Sequence, residues 1–287
     1  MYLVLSHAVA FGTLLVASLF DADYAEVPDS VLLLGVVGGA ILHAAESFLG
    51  AGSEGLVSLF LGQGALNFSA LWGDPLVISL TAGLLCFVYG WSAYLAGVWG
   101  GADALALAVL GFGAATPLSG STSVHLTGLG VSLLLSVTVY TLAFAVWKAA
   151  TTPGVVGEVA RSLRDRRWWC VASAGAGAGT VLAIPGWRGA ALGMLIATWV
   201  PLYSLLQSVQ RKALSKEVSV DDLDGGEVIE APGTDSRVRG IAQDEIDGLD
   251  VETVEVKSGV KLVPAFPMAV VLADLLPMGI LATSFLL

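Results

Sequence analysis

The first 147 residues contain no lysine and no arginine, and their charge comes from eight acids alone. Charged residues make up 13% of the 287-residue chain, against about 25% in an ordinary soluble domain. With 56% hydrophobic residues, so few charges cannot cover a soluble core. Two cysteines, Cys86 and Cys170, make neither a disulfide framework nor a thiolate zinc site. The net charge of −11 excludes a nucleic-acid binder. No basic stretch precedes the first apolar run, Tyr2–Phe20, and acids rather than a small-residue cleavage site follow it. That run reads as a first membrane span and not as a cleaved signal.

What the chain does have is apolar length. Mean hydropathy is +0.82, and runs of about 20 residues recur, enough for a helix to cross ~30 Å of hydrocarbon. The expectation is an all-α polytopic membrane protein of about eight transmembrane helices, near 2–20, 30–49, 75–98, 103–117, 122–147, 168–185, 189–209 and 265–286. Thirty-five glycines suit helices whose backbones approach closely in lipid. Four regions follow: a bundle over 1–148, a basic loop with two more spans over 149–211, a polar insert over 212–262 and a last helix over 263–287. The insert carries thirteen acids and six bases, too polar for lipid. Val251–Val256 alternates like a strand and Ile241–Leu249 has helical character, so a small α+β unit is expected there. The acidic balance fits either a basic partner or a salt-rich cytoplasm, and composition does not choose between them.

Basic residues orient such a protein, because loops rich in Lys and Arg stay in the cytoplasm. Lys148, Arg161, Arg164, Arg166 and Arg167 fall between the fifth and sixth runs, and Arg211, Lys212 and Lys216 follow the seventh. Both loops lie on one side of an eight-span chain. The turns Asp21–Asp29 and Trp99–Asp103 then share that cytoplasmic side. This holds if Leu56–Trp72 does not cross. Gln63 and Asn67 with Gly62 and Gly64 favour an interfacial or re-entrant piece there.

Those two turns hold the residues with chemistry in reach. Asp21-Ala-Asp-Tyr-Ala-Glu-Val-Pro-Asp29 sets a carboxylate directly after an apolar run, where it is poorly hydrated. Asp29 after Pro28 also reads as a helix N-cap. Gly100-Gly-Ala-Asp103 follows Trp99; its glycines allow close backbone approach, and Asp103 opens the next span at a favourable helix N-terminus. Taken singly, the first turn reads better as a solvated acidic loop cap and the second as a turn with an N-cap aspartate.

Taken together, they resemble the archaeal preflagellin and prepilin peptidases, a branch of the type IV prepilin peptidase family of GxGD-type membrane aspartic proteases. The spacing from Asp21 to Val27, with Pro28-Asp29 after it and Glu26 before it, is similar to the first family motif. Gly100-Gly101-Ala102-Asp103 is similar to the second, with Ala102 in place of the glycine beside the aspartate. The polar insert followed by Val263-Pro-Ala-Phe-Pro267 also looks like the family's arrangement, while the pair of spans over 165–210 looks added. The resemblance implies Asp21 and Asp103 as catalytic residues, with Asp21 preferred to Asp23 by its spacing. It implies a pair of carboxylates that shares one proton, activates water and needs no metal or cofactor. It implies archaellin and pilin-like precursors as substrates, whose short basic leader precedes an apolar helix in membrane lipid. Asp23, Glu26, Asp29, Gly100 and Gly101 would then line the cytoplasmic rim that meets the leader. No cysteine-rich zinc loop of the bacterial kind is present, so peptidase activity without methylation is implied. The residues alone leave a second class open, a non-enzymatic proton- or cation-coupled transporter.

Other residues read more plainly. His7, His43 and His125 fall in outer halves of spans as interhelical hydrogen-bonding groups, with Glu46 one turn after His43. The arginines over 161–167 act as a topology signal. Asp274, inside the last span beside Leu275-Leu-Pro277, reads as a packing residue satisfied by freed backbone or water. Trp99 and Trp147 read as interfacial belt residues.

Overall fold

A computed structural model describes residues 1–24, 27–49, 73–96, 99–118, 120–184, 186–220, 223, 229–230, 246, 251–257 and 259–275. Their helices are α1 (Tyr2–Tyr24), α2 (Asp29–Leu49), α3 (Pro75–Leu95), α4 (Gly101–Ala114), α5 (Thr122–Thr151), α6 (Val155–Asp165), α7 (Arg167–Ala183), α8 (Trp187–Ala213) and α9 (Ala265–Leu275). Three strands, β1 (Ser215–Ser219), β2 (Ile229–Glu230) and β3 (Thr253–Lys257), lie between α8 and α9. Among the described residues, five helices are long and apolar enough to cross a membrane: α1, α2, α3, α5 and α8. Most of their surface is exposed, including Leu34, Leu84, Leu85, Leu134 and Leu195. An apolar exterior of this kind suits lipid and not water.

The eight-span expectation is therefore supported only to five. The fourth expected span is the 14-residue α4, which rises about 21 Å at 1.5 Å per residue and falls short of ~30 Å of hydrocarbon. The sixth is the 17-residue α7. The last is described only through Leu275. The segment 56–72 lies outside the described residues, as does 241–249 except for the helical Ile246.

Helix starts follow local chemistry. Asp74 accepts from the backbone N–H groups of Leu76 (2.9 Å) and Val77 (3.4 Å) and from the Ser47 hydroxyl at 2.7 Å, capping α3 just before Pro75. Pro at the first helical position costs nothing, since its missing N–H would have no helical partner there. Asp29 stands in the first turn of α2 rather than before it, with the Val31 N–H bonded to the Pro28 carbonyl at 2.9 Å.

Contacts divide the chain into two units, 1–140 with 260–287 and 141–259. In the first, α4 is the central element, packed by α1, α2, α3 and α9. Its residues from Ala106 to Ala114 are all buried. Small residues make this possible. A Cβ on Gly39 would lie 2.9 Å from the Gly113 Cα, and one on Gly111 would lie 2.8 Å from the Ala82 carbonyl oxygen. Backbones at that spacing leave no room for larger side chains.

In the second unit, α7 and α8 meet at Gly177 and Gly193, and the Arg166 guanidinium lies over the Tyr203 ring, 4.7 Å from its centroid, while donating to Gln207 at 2.7 Å. The basic stretch before α7 is itself a helix, α6, with Val155 buried while Arg161 and Arg164 are exposed. The insert holds an antiparallel sheet in the order β1-β3-β2. Val254 and Val256 of β3 point inward and pack with Leu223 and Ile246, while Thr253 and Glu255 face out. Among the described residues, four buried side chains with Val218 and Val220 against them form this core, and a charge has no place in it. Val254→Asp should leave an unpaired buried carboxylate, costing about 3 kcal/mol or more, and limited proteolysis should then cut the insert faster than in the wild type. An unchanged digestion pattern would contradict this packing.

Candidate active site

Asp21 occupies the last turn of α1 and is 7% exposed; Asp103 occupies the first turn of α4 and is 8% exposed. Helices α1 and α4 pack on one another, and the charge of Asp21 acts on Asp103. Two buried carboxylates thus stand within electrostatic reach of each other at one end of the first unit. Among the described residues, no cation pairs with Asp103; the Gly100 N–H donates to its Oδ2 at 3.2 Å. That bond satisfies a donor the helix start leaves free. The site's polar capacity is not used up. Asp21 Oδ2 is buried with no hydrogen-bond partner. Buried orphan oxygens are rare in native structures and call for an explanation.

A carboxylate at a helix C-terminus is disfavoured by the helix dipole. Here Lys261 offsets it. Its ammonium donates to the Ala22 carbonyl at 2.8 Å, one of the free carbonyls that end α1, and its charge also acts on Asp21. The Val263 backbone N–H bonds the same carboxylate. The turn leading into α9 therefore closes over the end of α1. Tyr140 of α5 completes the surroundings, within electrostatic reach of both aspartates. Sequence reasoning gave neither Lys261 nor Tyr140 a role. Lys261 carried one signal, as the last cation before the Val263-Pro264 turn; Tyr140 carried none.

The turn before Asp103 is anchored on the other side. Trp99 packs against the main core and meets Tyr89 edge to face, 5.6 Å between centroids, so it holds the turn rather than serving only as a belt residue. Gly90 of α3 faces the residue after Asp103: a Cβ there would lie 2.9 Å from the Ala104 Cα. Gly100 and Gly101 behave differently. Gly100 has φ −73°, open to any residue, and a Cβ on Gly101 would meet only Tyr94 at an ordinary 3.8 Å. Among the described residues, nothing demands glycine at these two positions.

Of the other expected rim residues, the side chain of one is described. Asp29 is exposed on the first turn of α2. The Asp23 side chain and Glu26 lie outside the described residues. Among the described residues, the group able to hold a metal ion is His7, His125 and Asp274, and it contains neither Asp21 nor Asp103.

No family model matches the chain, and neither does any curated protein or solved structure. The functional reading rests on the site's own residues and on the motif resemblance.

Proposed function

We propose that the protein is a membrane aspartic endopeptidase of the preflagellin/prepilin peptidase kind. It removes short basic leaders from archaellin and type IV pilin-like precursors. The observation that carries this reading is that Asp21 and Asp103, both buried and 82 residues apart in the sequence, stand within electrostatic reach of each other on two packed helices. Two buried carboxylates within reach of each other do not both ionise easily, and on this reading the pair shares one proton. The ionised member takes a proton from water, which attacks the scissile carbonyl. The protonated member donates to the carbonyl oxygen, and a proton passes to the amine as it leaves. The peptide bond breaks, the leader gains a carboxylate, the mature chain gains an amine, and the pair regains its single proton. Lys261 holds the end of α1, and with it Asp21, in place.

On the eight-span reading, with 56–72 not crossing, the positive-inside rule would put this end on the cytoplasmic side of the plasma membrane. A precursor's apolar helix would lie in lipid beside the bundle, and its basic leader would meet Asp23, Glu26 and Asp29. Without side chains, Gly100 and Gly101 leave an extended leader room to approach Asp103, against which a Cβ on Gly100 would stand at 3.4 Å. Opposite charge concentrates the leader there, an effect that weakens with salt. Membranes containing the protein should release the leader from such a precursor, and the protease reading fails if the precursor stays intact. Asp23→Lys and Glu26→Lys should raise KM for basic-leader precursors by about 10-fold at low salt, with kcat little changed. Equal KM values at low salt would remove the steering role and leave the dyad untouched.

A further inference from the structure

At the far end of the same unit, α1 carries His7, fourteen residues before Asp21. That is about 21 Å along the helix. His7 is 4% exposed and is held at both ring nitrogens. Nε2 lies 2.8 Å from the Thr116 carbonyl oxygen, just past α4, and Nδ1 lies 2.8 Å from Asp274 Oδ2 of α9. His125, in the first turn of α5, places its own Nε2 2.8 Å from the Ala114 carbonyl oxygen. The two imidazole rings stand 5.7 Å apart.

A carbonyl oxygen only accepts, so each Nε2 must carry a hydrogen. In neutral imidazoles that leaves both Nδ1 atoms as bare lone pairs. The Nδ1 of His7 then faces a carboxylate oxygen at 2.8 Å. Two lone pairs do not sit at that distance unless something positive lies between them. Imidazoles whose outer N–H is pinned by a backbone carbonyl, with the inner nitrogen turned toward a carboxylate, have the arrangement that orients metal ligands. One donor atom from each of His7, His125 and Asp274 lies within 4.8 Å of the others. Around a tetrahedral zinc, bonded at about 2.0–2.2 Å, such atoms sit about 3.3 Å apart, so side-chain shifts of about an ångström close the set. His43 of α2, fully buried beside the Gly113 backbone, lies within electrostatic reach of His7 but is not one of the three.

We propose that His7, His125 and Asp274 form a binding site for a zinc-class divalent cation. Two nitrogens and one carboxylate oxygen suit that borderline ion, with a fourth position left for water. Binding displaces the proton held between His7 and Asp274. The ion ties α9 to α1 and α5 at the end remote from the aspartate pair. The proposal is independent of the peptidase reading, since it uses none of that site's residues.

The test uses the full chain purified in detergent, stripped with chelator and titrated with Co²⁺ and Zn²⁺. Wild type should take up a single equivalent, show the intense visible bands of low-coordinate Co²⁺, and melt at a higher temperature with Zn²⁺ present. Asp21→Asn should do the same. His125→Ala and Asp274→Asn should bind at least about 100-fold more weakly, the upper end of what even an outer partner of a ligand costs. If the wild type shows no stoichiometric uptake and no such bands, the triad holds a proton only and the proposal is overturned. That measurement decides the matter even where a variant fails to fold. In the wild type, absence of metal uptake together with precursor cleavage would strike this proposal alone, and metal uptake with no cleavage would strike the peptidase reading alone.

Discussion

Asp103→Asn should lower precursor cleavage by about 10³-fold or more while the protein stays folded. The substitution is nearly isosteric, and an amide oxygen can still accept from the Gly100 N–H that now bonds Oδ2. What it removes is the ability to give or take a proton. Asp21→Asn should cost as much, and the double variant no more than either single one, because members of a catalytic unit fail together. A merely structural Asp103 behaves differently. An acid at a helix start is worth about 1 kcal/mol, and its loss would shift the melting temperature slightly and leave cleavage alone. Side-by-side cleavage rates and melting curves for wild type and the three variants separate these outcomes.

Gly90→Val should be as damaging by another route. The Gly90 position faces the Ala104 backbone, with a Cβ placed 2.9 Å from its Cα and 3.0 Å from its carbonyl oxygen. Backbone cannot rotate away as a flexible side-chain tip can. Helices α3 and α4 must therefore separate. Overpacking of this kind costs about 1–3 kcal/mol. Asp103 precedes Ala104 and moves with it, and displacing a reacting group by about 1 Å can cost 10²-fold in rate. Gly101→Ala is the contrasting substitution, since its Cβ meets only an ordinary contact; it should leave the melting temperature unchanged. If Gly90→Val melts and cleaves like wild type, Gly90 does not set the position of α4.

Much of the helical layout is legible in the sequence, because apolar length and turn chemistry act locally. The runs at 30–49 and 122–147 correspond to α2 and α5, and Val251–Val256 overlaps β3. Depth was harder to read. The run at 103–117 has a span's composition, yet α4 closes at Ala114. Hydropathy reports that a helix avoids water, and a short helix wrapped by four others does so as well as one facing lipid. Asp74 was overlooked because its partner Ser47 comes from α2, across the segment 50–72. Asp274 was read as locally satisfied, but its partner His7 lies 267 residues away. Long-range polar pairing leaves no periodic trace. The two aspartates themselves stood out by motif, whereas Lys261 and Tyr140 are identified only by what they approach in space.

The most direct measurement is cleavage of a basic-leader precursor in ¹⁸O-labelled water by the purified wild-type protein, read by mass spectrometry. An aspartate pair that activates water predicts a single new amino terminus at the junction of leader and apolar helix, with one labelled oxygen in the leader's new carboxylate. Intact precursor after prolonged incubation, or a released leader with no label, would contradict hydrolysis by Asp21 and Asp103.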